Sequence, residues 1–187
     1  METDQELVSA VLAQKNGAFA RLLARYQRLV WHVIVRMVHH ADDADELSQE
    51  AFLQVYRNLP NFRFESALST WVGQVAFSVA RRFLQKKRLP IDDAGSHDED
   101  EALSHLADDV DLEQAFSDAE LFQHVAAAMD QLPPIQRTLL TLFHLDELPL
   151  EEIVQITELP IGTVKSYLFR ARARLRQSLL EHAGAIA

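Results

Sequence analysis

Apolar residues recur three and four positions apart through most of the chain, and runs of strict alternation are missing, so the pattern predicts helices and no strands. The first strong period runs over 19–38 (FARLLARYQRLVWHVIVRMV) and predicts one long amphipathic helix. A second helix follows in HHADDADELSQEAFLQVYRNL, where Asp42 or Asp43 can serve as cap and acids suit the positive helix end. Leu47, Ala51 and Val55 make its apolar line, with Phe52 and Leu59 beside it. Asp45, Glu46, Gln49 and Glu50 form an acidic outer surface with Leu53 at its edge. Residues 61–66 read as a loop, after which Ser66 or Ser69 opens a helix that buries Leu68, Trp71, Val72, Val75 and Val79.

The period returns at 118–131 with Leu121, Phe122, Val125, Ala128, Met129 and, just beyond, Leu132. Pro133 and Pro134 stop that helix and start another, IQRTLLTLFHL, since proline suits a first turn. A short helix at about 150–156, a tight turn at about 157–160 and a longer helix from about Ile161 then read as a helix-turn-helix. At about 100° per residue, Ile161, Val164, Leu168, Ala171, Leu175 and Leu179 share one stripe of the last helix. Thr163, Ser166, Tyr167, Arg170 and Arg174 lie opposite, and Lys165, Arg172 and Arg176 flank the stripe. Hydroxyls, an aromatic ring and arginines on one face suit the major groove of DNA, where arginine reads guanine bidentately and lysine or serine holds phosphates.

Charge changes this picture at one place. The formal net charge is -10 over 187 residues, which argues against a nucleic-acid partner if taken as a whole. Residues 91–120 hold many acids and no lysine or arginine, however, and the rest of the chain is slightly basic. The first part of that segment has few large apolar residues and reads as a flexible linker, either a solvated tether or a mimic of nucleic acid. At some 25 residues it spans roughly 25–30 Å on average, beyond the screening length of about 8 Å, so local charge decides what each face attracts. The expected organisation is all-α: a small helical domain at 1–89, the acidic linker at 90–115, and a second helical domain at 116–187.

Other chemistry is thin. The chain has no cysteine, so disulfides and thiolate metal sites are ruled out. His39 and His40 lie near carboxylates, but adjacent histidines point apart on a helix and no His-x-x-x-His or Glu-x-x-His pairing accompanies them, so neither metal nor cofactor is expected. The start of the chain is acidic and broken by polar residues, unlike a signal peptide, and no stretch approaches the roughly 18 apolar residues of a membrane span. A soluble cytoplasmic protein without catalytic residues is expected. Aromatics interleaved with cations in NFRFES and ARRFLQKKR suit single-stranded nucleic acid, because bases stack on rings while cations hold phosphates. On the residues alone, Phe62 and Trp71 read as core before they read as base-stacking rings.

LPPIQRTLLTLFHLDELPLEEIVQITELPIGTVKSYLFRARARLR resembles the promoter-reading fourth domain of bacterial sigma factors, most closely the extracytoplasmic-function group. DADELSQEAFLQVYRNLPNFRFESALSTWVGQVA is similar to that family's second domain. The two resemblances cover about 16–89 and 116–180, in the family's order. They imply an alternative sigma factor that binds core RNA polymerase and directs initiation at chosen promoters. Asp45, Glu46, Gln49, Glu50 and Leu53 would dock on the clamp coiled-coil of the largest polymerase subunit. Asn61, Phe62, Arg63, Phe64 and Ser66 would capture an unpaired base of the −10 element, with Arg81, Arg82, Lys86 and Lys87 on nearby phosphates. Thr163, Lys165, Ser166, Tyr167, Phe169, Arg170 and Arg174 would face the −35 duplex. An anti-sigma factor clamped between the domains is a partner the family often has. The alternative is a helix-turn-helix regulator that acts without core polymerase, which leaves the acidic face and the 61–66 loop without purpose.

Four departures from the family pattern stand out. Glu158 stands at a turn position where glycine is common; other residues resist positive φ, which predicts an altered turn. Phe64 replaces the usual loop glycine, and Phe77 with Ser78 replaces a common Arg-Asn pair. Tyr167 stands where a further arginine is common.

Overall fold

The computed structural model describes residues 2–87, 89, 91 and 118–186, with side chains over 122–181 in the second stretch. Among the described residues there are eight α-helices and no strand. The linker expected at 90–115 lies outside them, apart from Ile91.

Helix α1 (Asp4–Leu12) was not foreseen, although its signal is present: Thr3 and Glu6 form a capping box that satisfies the amides of both residues at its start. It is pinned to α2 (Ala18–Val38) by Arg25 on Asp4 at 2.9 Å and by the Tyr26 hydroxyl, which donates to Asp4 Oδ1 at 2.8 Å. Burial, helped by that carboxylate, raises the Tyr26 hydroxyl far above its ordinary pKa. Along α2, Leu22, Tyr26, Val30, Val33 and Met37 recur at steps of three and four and are all buried. The helix ends at His39, which adopts φ +69° while its N–H donates to Val35 O.

Helix α3 (Ala41–Asn58) begins after His40, whose side chain makes no capping bond. Asp42 and Asp43 therefore sit inside the first turn, where their charge meets the helix dipole, rather than at the cap that the sequence offered them. A short 3-10 turn (Leu59–Asn61) leads to the loop, and α4 (Leu68–Lys86) follows with Ala67 in place of the expected serine cap. Leu68, Val72 and Val79 are fully buried as expected, while Trp71 and Val75 are only partly so.

In the second half α5 (Asp118–Asp130) and α6 (Pro134–Leu140) meet at the proline pair, with Pro134 in the first turn of α6. The chain then widens into a π-helical segment (Thr141–Leu145), an irregularity with no marker in the sequence. Helices α7 (Leu150–Thr157) and α8 (Ile161–Ile186) complete the helix-turn-helix. Val164, Leu168, Ala171 and Leu179 are buried as the stripe requires, but Ile161 at the helix start is 44 % exposed. Phe122, expected on the apolar face of α5, is 76 % exposed.

The turn before α8 corrects another expectation. Glu158 adopts φ +59° and ψ +21°, the left-handed conformation that glycine would take, and its N–H still closes α7 on Val154 O at 2.9 Å. The turn is not altered; the packing of α7 and α8 holds glutamate in a glycine geometry. Left-handed backbone costs a side-chain-bearing residue about 1–2 kcal/mol. Glu158→Gly is therefore expected to stabilise the fold by about 1 kcal/mol, a rise of roughly 2–4 °C in melting midpoint for a chain of this size. An unchanged or lower midpoint in thermal denaturation would show that the strain is absorbed elsewhere.

The two halves share one continuous core. Helix α2 packs on α6 and α4 packs on α7. Polar contacts add to this apolar join. The guanidinium of Arg137, itself buried, donates to Arg36 O at 2.7 Å, to His39 Nδ1 at 2.8 Å and to Asp130 O at 3.2 Å. Burial lowers the pKa of Arg137 from its ordinary value, partly offset by the Asp130 carboxylate. His32 Nδ1 donates to Asp146 at 2.8 Å, and Arg28 donates to Leu145 O at 3.2 Å. Gly73 lies in the middle of α4, where glycine costs about 1 kcal/mol relative to alanine. A Cβ there would lie 2.9 Å from Ile156 Cδ1 on α7, so only glycine lets the two helices approach this closely.

Candidate polymerase and nucleic-acid interfaces

Helix α3 packs its Leu47–Ala51–Val55 line inward, which turns the opposite face out. Asp45, Glu46, Gln49 and Glu50 are all exposed there, and Leu53 is 52 % exposed beside them. Gln49 Nε2 donates to Asp45 Oδ2 at 3.1 Å and Gln54 Nε2 donates to Glu50 Oε1 at 2.9 Å, so the row is ordered by its own helix. The result is an acidic strip with an apolar residue at its edge, complementary in charge to a basic surface.

The 61–66 loop makes the second surface. Phe62 is held between two rings, Phe64 at 4.7 Å and Trp71 at 4.9 Å between centroids. Neither Phe62 nor Trp71 is fully buried; both line a pocket of about 360 Å³ together with Asn61, Arg63, Ser66 and Gln74. The reading of these two rings as core is thus half right: both pack against the core and both also line a cavity. Phe64 adopts φ +58°, again the conformation of the glycine it replaces. The pocket is polar at its rim and large enough for an extruded base, and aromatic walls are what such a base stacks upon.

The cations at the end of α4 differ in setting. Arg82 donates to Gln54 on α3 at 3.0 Å, and Lys87 pairs with Asp43 at 3.2 Å while lying 4.2 Å over the Phe83 ring. Lys86 is exposed. Arg81 lies 3.8 Å from Glu158 of the other half.

On α8, Lys165 and Phe169 are exposed, and Thr163, Ser166, Tyr167, Arg170 and Arg174 are partly exposed. Tyr167 leans on the core, and the Arg170 guanidinium lies 5.9 Å over its ring. Arg174 points back instead, donating to Gln136 Oε1 on α6 at 3.3 Å. Arg172 is exposed, 5.3 Å over Phe143 and 3.1 Å from His144 Nε2. Partial burial and this guanidinium lower the His144 pKa.

Sequence reasoning did not assign Trp71 or Gln74 to the 61–66 site, nor Gln155, which lines the same pocket from α7. Trp71 and Gln74 lie three residues apart on α4 and could have been found from helical spacing. Nothing local in the sequence places Gln155 there. Among the described residues no group of three or more His, Asp or Glu side chains is arranged to hold a metal ion.

Comparison with known proteins agrees with both halves. The family model described as sigma-70 region 2 matches residues 22–89, and that described as sigma-70, region 4 matches residues 123–175. The RNA polymerase sigma-H factor of Pseudomonas aeruginosa is 37% identical over 95% of this chain and 94% of its own length. The ECF RNA polymerase sigma-E factors of Haemophilus influenzae and Escherichia coli K12 are 34% and 37% identical, over 95% and 91% of this chain and the same shares of their own lengths. Among solved structures, CnrH in complex with the cytosolic domain of CnrY matches with a TM-score of 0.64 at 17% identity, covering 96% of this chain and 97% of that one. The sigma factor RpoE in complex with the anti-sigma factor NepR from Bartonella quintana matches with a TM-score of 0.58 at 20% identity, covering 87% and 97%. With two region models in order and relatives aligned over nearly its whole length, the chain belongs to the sigma-70 family of RNA polymerase sigma factors, in its extracytoplasmic-function group.

Proposed function

We propose that this sigma factor divides its work between the segments 1–89 and 116–187. The first docks on the clamp coiled-coil of the largest polymerase subunit through Asp45, Glu46, Gln49, Glu50 and Leu53. Its 61–66 loop takes one unpaired base of the −10 element, and Arg81, Arg82, Lys86 and Lys87 steady the neighbouring backbone. The second segment lays α8 in the major groove of the −35 element. Of the residues assigned to that face, Arg174 must leave Gln136 before it can reach DNA. Two weak readings made by tethered modules gain through effective concentration what neither small surface could achieve alone.

The chain has no catalytic step of its own in this scheme; polymerase carries the chemistry. No described helix is long and apolar enough to cross a membrane, and the cytoplasm, where polymerase works, is the proposed location. An anti-sigma partner is proposed by analogy, since one solved neighbour was captured with an anti-sigma factor.

The observation that carries this reading is the exposed acidic row on α3, held on the same chain as a basic helix-turn-helix. A regulator that only bound DNA would gain nothing from such a row, because phosphates repel it. The test is run-off transcription with purified chain and core enzyme over a promoter library. Specific transcripts that need both components are expected; their complete absence, with no inhibitor present, overturns the reading.

A further inference from the structure

The outward face of α8 is rolled away from the one that apolar spacing selects. Over 161–172 its exposed residues are Ile161, Gly162, Lys165, Phe169 and Arg172. Tyr167 and Arg174 are half-buried, and Arg174 is turned back to Gln136. At about 100° per residue, Lys165 and Arg172 fall roughly 40° and 60° to one side of Phe169, while Ser166 and Arg170 fall on the other. Arg172 has no part in the −35 contacts assigned above.

The setting of Arg172 is built by a neighbouring element. Its Nε donates to His144 Nε2 at 3.1 Å, and its guanidinium lies 5.3 Å from the centroid of the Phe143 ring. An imidazole must be neutral to accept that bond. Partial burial, together with the guanidinium, lowers the His144 pKa and favours the neutral form. Both supports come from the π-helical segment, whose widened turn is closed by Asp146 N donating to Thr141 O at 3.0 Å. Neighbours on a regular α-helix diverge by about 100°, whereas Phe143 and His144 meet edge to face at 4.9 Å and reach one guanidinium. Among the described residues no hydrogen bond or ion pair engages the two Nη groups of Arg172.

We propose that Arg172 is a phosphate clamp: the π-helical segment holds its guanidinium at one edge of α8, where it takes a backbone phosphate on one wall of the −35 major groove. This rests on the reading of α8 given above and adds a residue to it.

The groove is about 12 Å wide and a helix with its side chains is about 10–12 Å across, so a seated helix meets both walls. The wall on the Lys165 side then faces two cations, two turns and about 10 Å apart along the helix. With Nε occupied by His144, the two Nη groups form a fork that matches a pair of phosphate oxygens. Fixing the guanidinium before DNA arrives reduces the rotamer entropy lost on binding. The π turn, a feature that occurs often at functional sites, thereby gains a purpose that the core does not supply.

The test uses the chain reconstituted with core polymerase and a fluorescent promoter duplex taken from the active members of the run-off library. Arg172→Ala is expected to weaken matched and singly substituted upstream elements alike, about fivefold at physiological salt, and to reduce the slope of log K against log salt by about 1. His144→Ala and Phe143→Leu should each weaken binding about two- to threefold, but only while Arg172 is present; once it is alanine they should change nothing. That coupling separates support of Arg172 from a general loss of fold, which would weaken binding in both backgrounds. Arg172→Lys keeps the charge, so it should retain the salt slope yet lose the coupling to His144.

If Arg172→Ala leaves affinity and salt slope as in the wild type, or if its loss is confined to one base pair, Arg172 is no phosphate clamp. Equal losses from His144→Ala and Phe143→Leu with and without Arg172 would show that the π-helical segment does not position it. If Arg170→Ala and Arg172→Ala both leave duplex binding unchanged, α8 does not meet the duplex and the −35 reading itself fails, a result distinct from loss of the clamp alone.

Discussion

Reversal of Asp45 and Glu46 to lysine is expected to weaken core polymerase binding about a hundredfold, ~2.8 kcal/mol, with the fold intact. Both residues are exposed on α3, and Asp45 accepts a hydrogen bond only from Gln49 of its own helix among the bonds described. The acids that complement the helix dipole are Asp42 and Asp43, one turn earlier, and they are untouched. Surface changes of this kind usually move stability by less than about 0.5 kcal/mol. The strip, by contrast, exchanges two negative charges for two positive ones, which turns attraction for a basic partner into repulsion. The loss should shrink as salt rises, because exposed charges are screened over about 8 Å at physiological strength. Pull-down or fluorescence titration with core enzyme measures the effect, and duplex binding by the free chain serves as the control. Equal polymerase affinity in the two proteins would remove α3 from the docking surface.

How far the sequence discloses this arrangement depends on the range of the forces involved. Helices α2, α3, α4 and α8 follow from apolar spacing because each buries one stripe, and the proline pair at 133–134 punctuates the chain by its own geometry. The misses are places where tertiary packing overrides a local preference. Glu158, Phe64 and His39 all take positive φ, a conformation local sterics disfavour. The first closes α7, the second turns the pocket loop, and the third ends α2, so surrounding packing over-determines each. Phe122 and Ile161 have the right period but are exposed, Ile161 at the first position of its helix and Phe122 at the edge of an apolar pocket lined by Val125, Met129 and Leu175. Of the candidate surfaces, the α3 strip was legible in full because it depends on one helix. The pocket was legible only in part, because Gln155 comes from a segment eighty residues farther along the chain. Gly73 carried the decisive signal for that approach, but a lone glycine in a helical pattern has several causes and names no partner.

Arg170→Ala is expected to lower promoter binding by roughly 5- to 150-fold, about 1–3 kcal/mol, and to leave polymerase binding unchanged. Val164, Leu168 and Ala171 are buried and fix the roll of α8, which directs Arg170 away from the core. Its guanidinium lies 5.9 Å over the Tyr167 ring, a contact that limits its rotamers before DNA arrives, so less entropy is lost on forming a two-bond contact with guanine. Truncation removes the guanidinium head. Lys165, exposed on the same helix, makes the useful contrast. An ammonium is a point charge that holds phosphate, so Lys165→Ala should weaken all sequences alike and reduce the slope of log K against log salt by about 1. Arg170→Ala should instead relax discrimination at one base pair of the upstream element. Titration of matched and singly substituted duplexes at several salt concentrations separates the two behaviours. If Arg170→Ala weakened every sequence equally and shifted the salt slope, the arginine would be a phosphate clamp. Base reading on α8 would then fall to Ser166, Tyr167 and Phe169.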